Sequence, residues 1–222
     1  MSSIKLKHSG GNSVSIAAPS SNPASNRTIT VPSTVDGNML TSTSGSSIRV
    51  LEQFYSSADG SSFTTSQGTI TLTDVTSVLN LTTSFQDLPG TSITYTPPSG
   101  TSHVIYEVQF GLRSDDSSAI LGGHMMINSD IILDSRFGLR GSTNYSDMLY
   151  TFKFGINIGG SSSTTTGRQA AWTSGKTLKL QLNEHNSSYE WRANILGNYG
   201  ADGHQGVTMR PRVGITAIGV PS

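Results

Sequence analysis

The sequence predicts an all-β protein, in which an antiparallel jelly-roll β-sandwich head follows an extended N-terminal anchoring arm. Ser and Thr account for 63 of the 222 residues, a composition that suits strands coated on one face with small hydroxyl side chains. Strand-like segments recur at short intervals, separated by Gly, Pro, Ser and Asn, as in sandwiches and barrels. No segment carries the capped apolar stripe of an amphipathic helix.

Residues 1–47 are expected to form an arm and a linker rather than a packed domain. Residues 4–8 and 14–16 are short β-capable pieces that could pair as a hairpin, and residues 28–31 form a third piece that Pro32 stops. The chain between them has too few apolar groups to offset an ordering entropy of ~1–2 kcal/mol per residue. We expect the arm to become ordered where a partner covers it.

Residues 48–222 are expected to form the head. The segment 103–112 alternates most clearly between apolar and polar residues, which predicts a strand with one buried face. The candidate strands, in chain order, are 48–55, 69–73, 84–88, 91–96, 103–112, 119–127, 130–136, 148–158, 168–173, 177–182, 189–195 and 207–220.

The predicted core is built from apolar members of these segments, because burying a large apolar side chain typically stabilises a protein by ~1.5–3 kcal/mol. Its members are Val50, Leu72, Phe85, Ile93, Val104, Tyr106, Val108, Phe110, Ile132, Phe152, Phe154, Leu178, Leu180, Trp191 and Ile215.

Charge and composition exclude several classes of protein. Lys plus Arg equals Asp plus Glu, at 14 each, and no basic block provides the footprint of a nucleic-acid-binding protein. The chain has no Cys, so disulfides and thiolate metal sites are excluded. No secretory signal opens the sequence, and no stretch approaches the ~20 apolar residues of a membrane span. We expect a protein that is made in a cytoplasm, does not insert into a membrane and has no nucleic-acid partner.

No residue pattern predicts an enzyme, a metal site or a cofactor. His124 lies in an apolar run and is interpreted as a half-buried strand residue with a backbone partner. Asp115 and Asp116 are adjacent, without the spacing of a calcium loop, and predict a hairpin loop. Glu184 and Glu190 could flank a hairpin as an acid/base pair, but nothing implies the sugar cleft that a glycosidase requires.

One predicted loop, residues 198–206, has the chemistry of a binding site. It places Tyr199, Asp202 and His204 on a Gly-rich backbone, a mixture that suits sugar hydroxyls and pyranose faces. Tyr145 and the strand-end Trp172 could add aromatic rings. These five residues are the candidates for glycan binding, and an ordinary hairpin loop is the alternative interpretation.

Two stretches near the N-terminus resemble known virion proteins. Residues 4–14, IKLKHSGGNSV, resemble the N-terminus shared by many structural and tail-fibre-like proteins of marine cyanophages and related tailed phages. Residues 27–40, RTITVPSTVDGNML, are similar to the TLTLP…DGTLLT segment of phage fibre N-termini and depart from it at residues 33–35. The resemblance implies that the arm attaches the protein to the virion.

The head carries a second resemblance. Residues 83–102, TSFQDLPGTSITYTPPSGTS, look like a run found in phage jelly-roll heads, which are loosely similar to the C1q and tumour-necrosis-factor folds. Residues 211–218, PRVGITAI, resemble the last strand of those heads. The resemblance implies a homotrimer and a place on the virion, beside a tail adaptor, a nozzle or the capsid. It supplies no catalytic residue.

Residues and resemblance together predict a bacteriophage virion structural protein, a trimeric tail-fibre or spike subunit that docks to the particle by its N-terminus. Ile4, Leu6, Ile29 and Val31 are expected to enter pockets of the docking partner by strand addition. Two alternatives remain open. The head could be a lectin-like module that attaches to host surface polysaccharide, or the chain could be a capsid decoration or head-fibre protein.

Overall fold

The structure is a computed structural model. It describes residues 3–7, 10, 13–17, 48–141, 146–197 and 206–220. The chain divides into two compact units, residues 1–40 and 41–222.

The first unit contains one antiparallel hairpin. β1 (Ser3–Lys7) pairs with β2 (Ser13–Ala17), as the alternation of this stretch predicts. The register sets Ile4 opposite Ile16 and Leu6 opposite Val14.

The second unit is built from two six-stranded antiparallel sheets. Sheet 1 contains β3 (Arg49–Ser57), β6 (Leu79–Asn80), β9 (Thr101–Ser114), β13 (Ser146–Asn157), β15 (Trp191–Ala193) and β18 (Arg212–Gly219). Sheet 2 contains β7 (Gln86–Asp87), β8 (Ile93–Tyr95), β10 (Ile120–Ile127), β11 (Asp130–Ile131), β12 (Phe137–Arg140) and β14 (Lys176–Glu184). Two hairpins, β4 (Ser62–Thr65) with β5 (Gly68–Thr71) and β16 (Ile195–Gly197) with β17 (Gly206–Thr208), lie outside the sheets.

The strand order is that of a jelly roll. The main path of sheet 1 is β3-β18-β9-β13, and that of sheet 2 is β8-β14-β10-β12. The first and last strands of the unit are neighbours, and the chain changes sheet between β9 and β10, between β12 and β13, and between β13 and β14. The described residues contain one 3-10 turn, Leu133–Ser135, and no α-helix. The predicted fold class, an all-β antiparallel jelly-roll sandwich, is confirmed.

The core lies between the two sheets, and alternation along the strands explains its membership. Residues 104, 106, 108, 110 and 112 of β9 are all fully buried. On β13, Phe152 lies opposite Val108 and points to the same side. Leu178, Leu180 and Leu182 supply the facing layer from β14. Twelve of the fifteen predicted core residues are buried in this way.

Two predicted core residues, Val50 and Phe85, are exposed, and Phe154 is only half-buried. A β-bulge between Ala217 and Ile218 shifts the register of β3 on β18, so that Val50 lies opposite Ile218 on the outer face. The ring of Phe85 lies over His124 on the outside of sheet 2, with ring centroids 4.3 Å apart.

The predicted strand at 168–173 is wrong, because only an isolated bridge between Ile158 and Gln169 forms there. The predicted strand at 130–136 is wrong beyond β11, since the 3-10 turn follows it. Conversely, the polar stretch after β3 contains β4, a strand that the sequence did not predict, which pairs as a hairpin with β5 of the predicted segment 69–73. In that hairpin Phe63 packs on Phe54, with centroids 4.3 Å apart.

Candidate functional site

Most of the predicted site residues lie outside the described part of the chain. These are Tyr145, Tyr199, Asp202 and His204 of the predicted glycan site, and Ile29 and Val31 of the predicted anchor. Ile4 and Leu6 belong to β1. Trp172 is the member of the predicted glycan site that the structure describes, and it is buried rather than presented at a strand end.

Trp172 closes one side of an open groove on the second unit, which we call the Trp172 groove. One wall is formed by residues 96–101 and the other by residues 170–173, with Ile158 and Gln67 at its ends. Its volume is 380 Å³. The first wall follows from the Pro-Pro-Ser-Gly sequence, in which Gly100 has φ +84° and the following N–H donates to Pro98 O at 3.3 Å. A turn of this type needs glycine at its third position.

A chain of hydrogen bonds fixes the floor of the Trp172 groove. The Trp172 indole N–H donates to Tyr95 O at 2.9 Å, and the two rings meet edge to face at 6.3 Å. The Tyr95 hydroxyl donates to Glu52 Oε2 at 2.8 Å. Burial raises the pKa of Tyr95 far above its ordinary value, and Glu52 raises it further, so the phenol stays protonated. The other oxygen of Glu52 accepts the N–H of Ser66 at 2.6 Å, which holds the turn that carries Gln67.

The described side chains that line the Trp172 groove are uncharged. Pro98 and Ala171 offer apolar surface beside the edge of the indole. The side chains of Gln67, Ser99 and Thr173 offer an amide and two hydroxyls, and no described residue hydrogen-bonds them. Sequence reasoning found Trp172 but missed these residues. The Pro-Pro-Ser-Gly turn was the one local signal, since the opposite wall is about 70 residues away along the chain.

A second feature is the outer face of sheet 1, which exposes apolar side chains. Val50, Tyr55 and Leu149 are 52%, 49% and 52% exposed. The same face carries the charged residues Glu107, Lys153 and Arg212, and the register places small or uncharged residues of the neighbouring strands around them. They include Ile105, Thr151, Gly155, Gly214, Thr216 and Ile218. An antiparallel sheet that faces water normally carries polar side chains on its outer face, so the three exposed apolar residues mark a candidate contact surface.

Near its centre this face is concave. The Tyr55 ring lies against Gly214, where a Cβ atom would come within 2.5 Å of the ring. A shallow depression of 220 Å³ follows, bordered by Tyr55, Gln53 and Glu107. Lys153 Nζ forms an ion pair with Glu107 Oε2, 3.1 Å away, across the β9–β13 pair. The depression can therefore receive a side chain from another surface without burying an unpaired charge.

Among the described residues, the edge of sheet 1 at β13 is open. All 12 residues of β13 pair with β9 on one side, and no strand in the described residues pairs with the other side. A long unpaired edge presents backbone N–H and C=O groups that other chains can bind, and native proteins usually cover such edges. The edge adjoins the apolar outer face just described.

Charged residues collect at one end of sheet 1. Arg113 is buried and donates from Nε and Nη2 to the two carboxylate oxygens of Asp147, at 2.8 and 3.0 Å. Arg192 Nη2 contacts Asp115 at 2.8 Å and Glu190 at 2.9 Å. Burial raises the pKa of Asp115, which Arg192 partly opposes. The two arginines make this cluster an ion-pair network at one end of sheet 1.

His124 lies on the outside of sheet 2. The partner of its ring is a side chain, that of Gln181, and not the backbone group that the sequence predicted. Its Nε2 lies 3.0 Å from Gln181 Oε1, while Gln181 Nε2 donates to Asp87 Oδ1 at 2.7 Å. Because the amide donates to Asp87, its oxygen accepts, so His124 carries its proton on Nε2. Burial lowers the pKa of His124, and Phe85 covers the ring. This histidine is an enclosed structural residue.

Neither a metal site nor a membrane-spanning helix is found among the described residues. No group of three His, Asp or Glu side chains there is arranged to hold a metal ion. Within the same residues, no helix is long and apolar enough to cross a membrane.

No protein-family model matches the chain, and no curated protein matches it. Among solved structures, one of infectious bursal disease virus, Gx strain, matches with a TM-score of 0.34 and 12% identity, over 77% of this chain and 37% of that chain. Another, of the Gt strain, matches with a TM-score of 0.27 and 11% identity, over 71% of this chain and 45% of that chain. The chain spans less than half the length of either. These likenesses are weak and assign no function to the chain.

Proposed function

We propose that the chain is a virion structural protein, the trimeric subunit of a phage tail fibre or spike, attached to the particle by residues 1–47. The observation that carries this proposal is the outer face of sheet 1, where exposed apolar residues adjoin the open edge of β13. The role requires no catalysis, metal or cofactor. The sequence resemblance to phage fibre N-termini and jelly-roll heads supports the location in the virion.

The face and the edge together suit association between copies of the chain. If the β13 edge of one copy packs against the outer face of the next, the contact is heterologous, and a threefold rotation closes it into a ring. Each copy then buries Val50, Tyr55 and Leu149 and covers its own unpaired edge. Because the net charge is zero, long-range repulsion between copies is weak.

Oligomeric state is the first test of the proposal. Light scattering of the full chain in solution is expected to give the mass of three copies of the 23.4 kDa chain, about 70 kDa. Leu149→Lys and Tyr55→Lys place a charge on the proposed interface and are expected to shift the mass towards 23.4 kDa. A monomeric wild-type chain at micromolar concentration would contradict the proposal.

The matched control is Ile120→Lys. Ile120 is 44% exposed and lies on sheet 2, away from the proposed interface. It adds the same charge to a similarly exposed apolar position, so the trimer is expected to persist. Dissociation by Ile120→Lys, with none by Leu149→Lys, would place the interface on sheet 2 and overturn the assignment of faces.

A second candidate function is attachment to host surface polysaccharide. The observation that favours it is the Trp172 groove, which combines apolar surface with hydroxyl and amide groups that no described residue engages. A fibre or spike head can be both a structural subunit and a receptor binder, so the two functions are compatible. A capsid decoration or head-fibre role would share the trimer and differ in the docking partner. A cryo-EM map of the particle would distinguish these locations.

A further inference from the structure

We infer that the Trp172 groove is a binding site for a neutral pyranose unit of a glycan. The inference rests on the receptor-binding candidate above, and it names a site and a substrate class for that function. It does not depend on the number of subunits, because both walls of the groove belong to one chain.

The size of the groove suits a small polar ligand. Its 380 Å³ falls at the lower end of the ~300–1,000 Å³ typical of small-molecule sites. The groove is partly open to solvent, so a sugar unit that projects from a longer chain can enter it.

The lining selects for sugar chemistry. A pyranose presents C–H groups on its ring faces and hydroxyls around its rim. Pro98, Ala171 and the edge of Trp172 can contact the C–H groups, and Gln67, Ser99 and Thr173 can exchange hydrogen bonds with the hydroxyls. The indole N–H is already bonded to Tyr95 O, so the ring contributes apolar contact and no donor.

The absence of charge in the lining predicts a preference for neutral sugars. A uronic acid or sialic acid placed here would lose part of the hydration of its carboxylate without gaining a cationic partner, which is costly. No Lys or Arg occurs among the described residues that line the groove. Neutral hexoses and N-acetylhexosamines carry no such penalty.

The site is held in shape before any ligand arrives. Glu52 accepts hydrogen bonds from both Tyr95 and Ser66, which fixes the ring under Trp172 and the turn beside Gln67. A binding surface that is already ordered loses less conformational entropy when it binds. Glu52 is therefore a positioning residue that acts through Tyr95 and Ser66.

The chain provides a direct readout, because it has two tryptophans. Trp172 borders the groove, while Trp191 is fully buried elsewhere in the core. The experiment titrates the 15N-labelled full chain with methyl α-D-glucopyranoside, methyl α-D-mannopyranoside, methyl β-D-galactopyranoside and N-acetylglucosamine, and follows the two indole N–H signals. We expect at least one of these sugars to shift the Trp172 signal saturably and to leave the Trp191 signal in place. D-glucuronic acid is expected to bind at least about tenfold more weakly, because its carboxylate lacks a partner.

Two variants locate the binding. Gln67→Ala is expected to weaken it about fivefold, as for the loss of one hydrogen bond, and Ala171→Arg is expected to abolish it by filling the groove. Their controls are Thr69→Ala on the same hairpin and Ser161→Arg on the same loop segment, both at exposed positions outside the lining. Neither control is expected to change the affinity.

The inference is overturned if none of the four neutral sugars shifts the Trp172 signal saturably, or if a shift persists unchanged in Ala171→Arg. Light scattering of the same sample separates this outcome from failure of the structural role. A mass of three copies without sugar binding would reject the groove alone, whereas a monomer that binds sugar would reject the trimer alone.

Discussion

At the residue scale, the stability of the core depends on side chains that the two sheets fully enclose. Phe110 of β9 is fully buried and meets Tyr150 edge to face, with centroids 5.6 Å apart. Phe110→Ala is expected to lower the free energy of unfolding by about 3–5 kcal/mol, measured by denaturant titration. Phe85→Ala is the control, because that ring is 48% exposed. Its expected cost is about 1 kcal/mol or less, and equal costs would contradict the assignment of the core.

A second residue-scale prediction concerns Glu184, which is almost fully buried beside Trp191. Burial raises the pKa of Glu184, and the negative charge of Glu190 raises this pKa further. The backbone N–H of Trp191 donates to the Glu184 carboxylate and partly opposes the rise. A carboxyl whose pKa is higher in the folded state contributes stability that is fully present below its unfolded pKa and is lost as pH rises through the folded value. Glu184→Gln keeps an acceptor oxygen and removes the charge. It is expected to raise the melting temperature at pH 7 and to change it little at pH 3.5.

Glu190 serves as the control, because its pKa is shifted in the opposite direction to that of Glu184. Its hydrogen bond from Arg192 lowers the pKa of Glu190, so its contribution is present above the unfolded pKa and lost as pH falls. Glu190→Gln is therefore expected to reduce the melting temperature at pH 7 and to have little effect at pH 3. Parallel behaviour of the two variants across this range would contradict the assigned environments.

Individual residues also show why sequence patterns succeed or fail. Alternation places the β9 residues in the core, because a strand with one buried face repeats every two residues. The same rule misplaced Val50, since a bulge at Leu51 of β3, which only the pairing with β18 reveals, turns Val50 outward. Trp172 was identified as a candidate from its type and position. Its burial against Tyr95 follows from a contact between residues 77 positions apart, which no local pattern contains.

At the scale of elements, β9 and β13 are joined by two ion pairs of different burial. Arg113 and Asp147 form a bidentate ion pair, and their side chains are 3% and 17% exposed. Lys153–Glu107 joins the same strands at the surface. Asp147→Ala is expected to destabilise the fold by about 3 kcal/mol, because the buried guanidinium loses its carboxylate.

The matched control is Lys153→Ala, which removes the exposed pair from the same two strands. Its expected cost is at most about 1 kcal/mol, and it should shrink further at high salt. Denaturant titration at two salt concentrations measures both variants. Equal destabilisation by the two variants would show that burial does not decide the strength of these pairs.

The strands also show which elements a sequence can predict. Long strands with alternating apolar residues, such as β9, β13 and β14, were predicted within a few residues, as was the apolar run of β10. β4 was not, because its sequence is almost entirely Ser and Thr and its position depends on Phe63 packing on the distant Phe54. The segment 168–173 has apolar residues but makes loop contacts, such as Ala170 N–H to Ser162 Oγ at 3.0 Å.

For the whole molecule, the fold and the proposed role have different kinds of support. The jelly roll follows from strands whose apolar faces must meet, and composition with periodicity was sufficient to predict it. The trimer depends on a surface, and a surface is defined by strands that neighbour each other only after folding. Val50, Tyr55 and Leu149 come from strands up to about 100 residues apart, so their common face could not be identified from the sequence. The glycan residues predicted at 145 and 199–204 stay predictions.

The last prediction separates the roles of the two units. The hairpin β1–β2 has two strands of five residues each, and a lone hairpin of that size is at best marginally stable in water. Backbone hydrogen bonds to an exposed sheet edge of a partner would stabilise it, and three arms per trimer would strengthen the attachment by multivalency. Deleting residues 1–47 is therefore expected to leave a folded trimer that no longer joins the particle, as measured by light scattering and by quantitative mass spectrometry of purified virions. The double variant Ile4→Asp, Leu6→Asp keeps the full length and is expected to lose incorporation as well. Normal copy number of the truncated protein in virions would show that the head itself is the anchor.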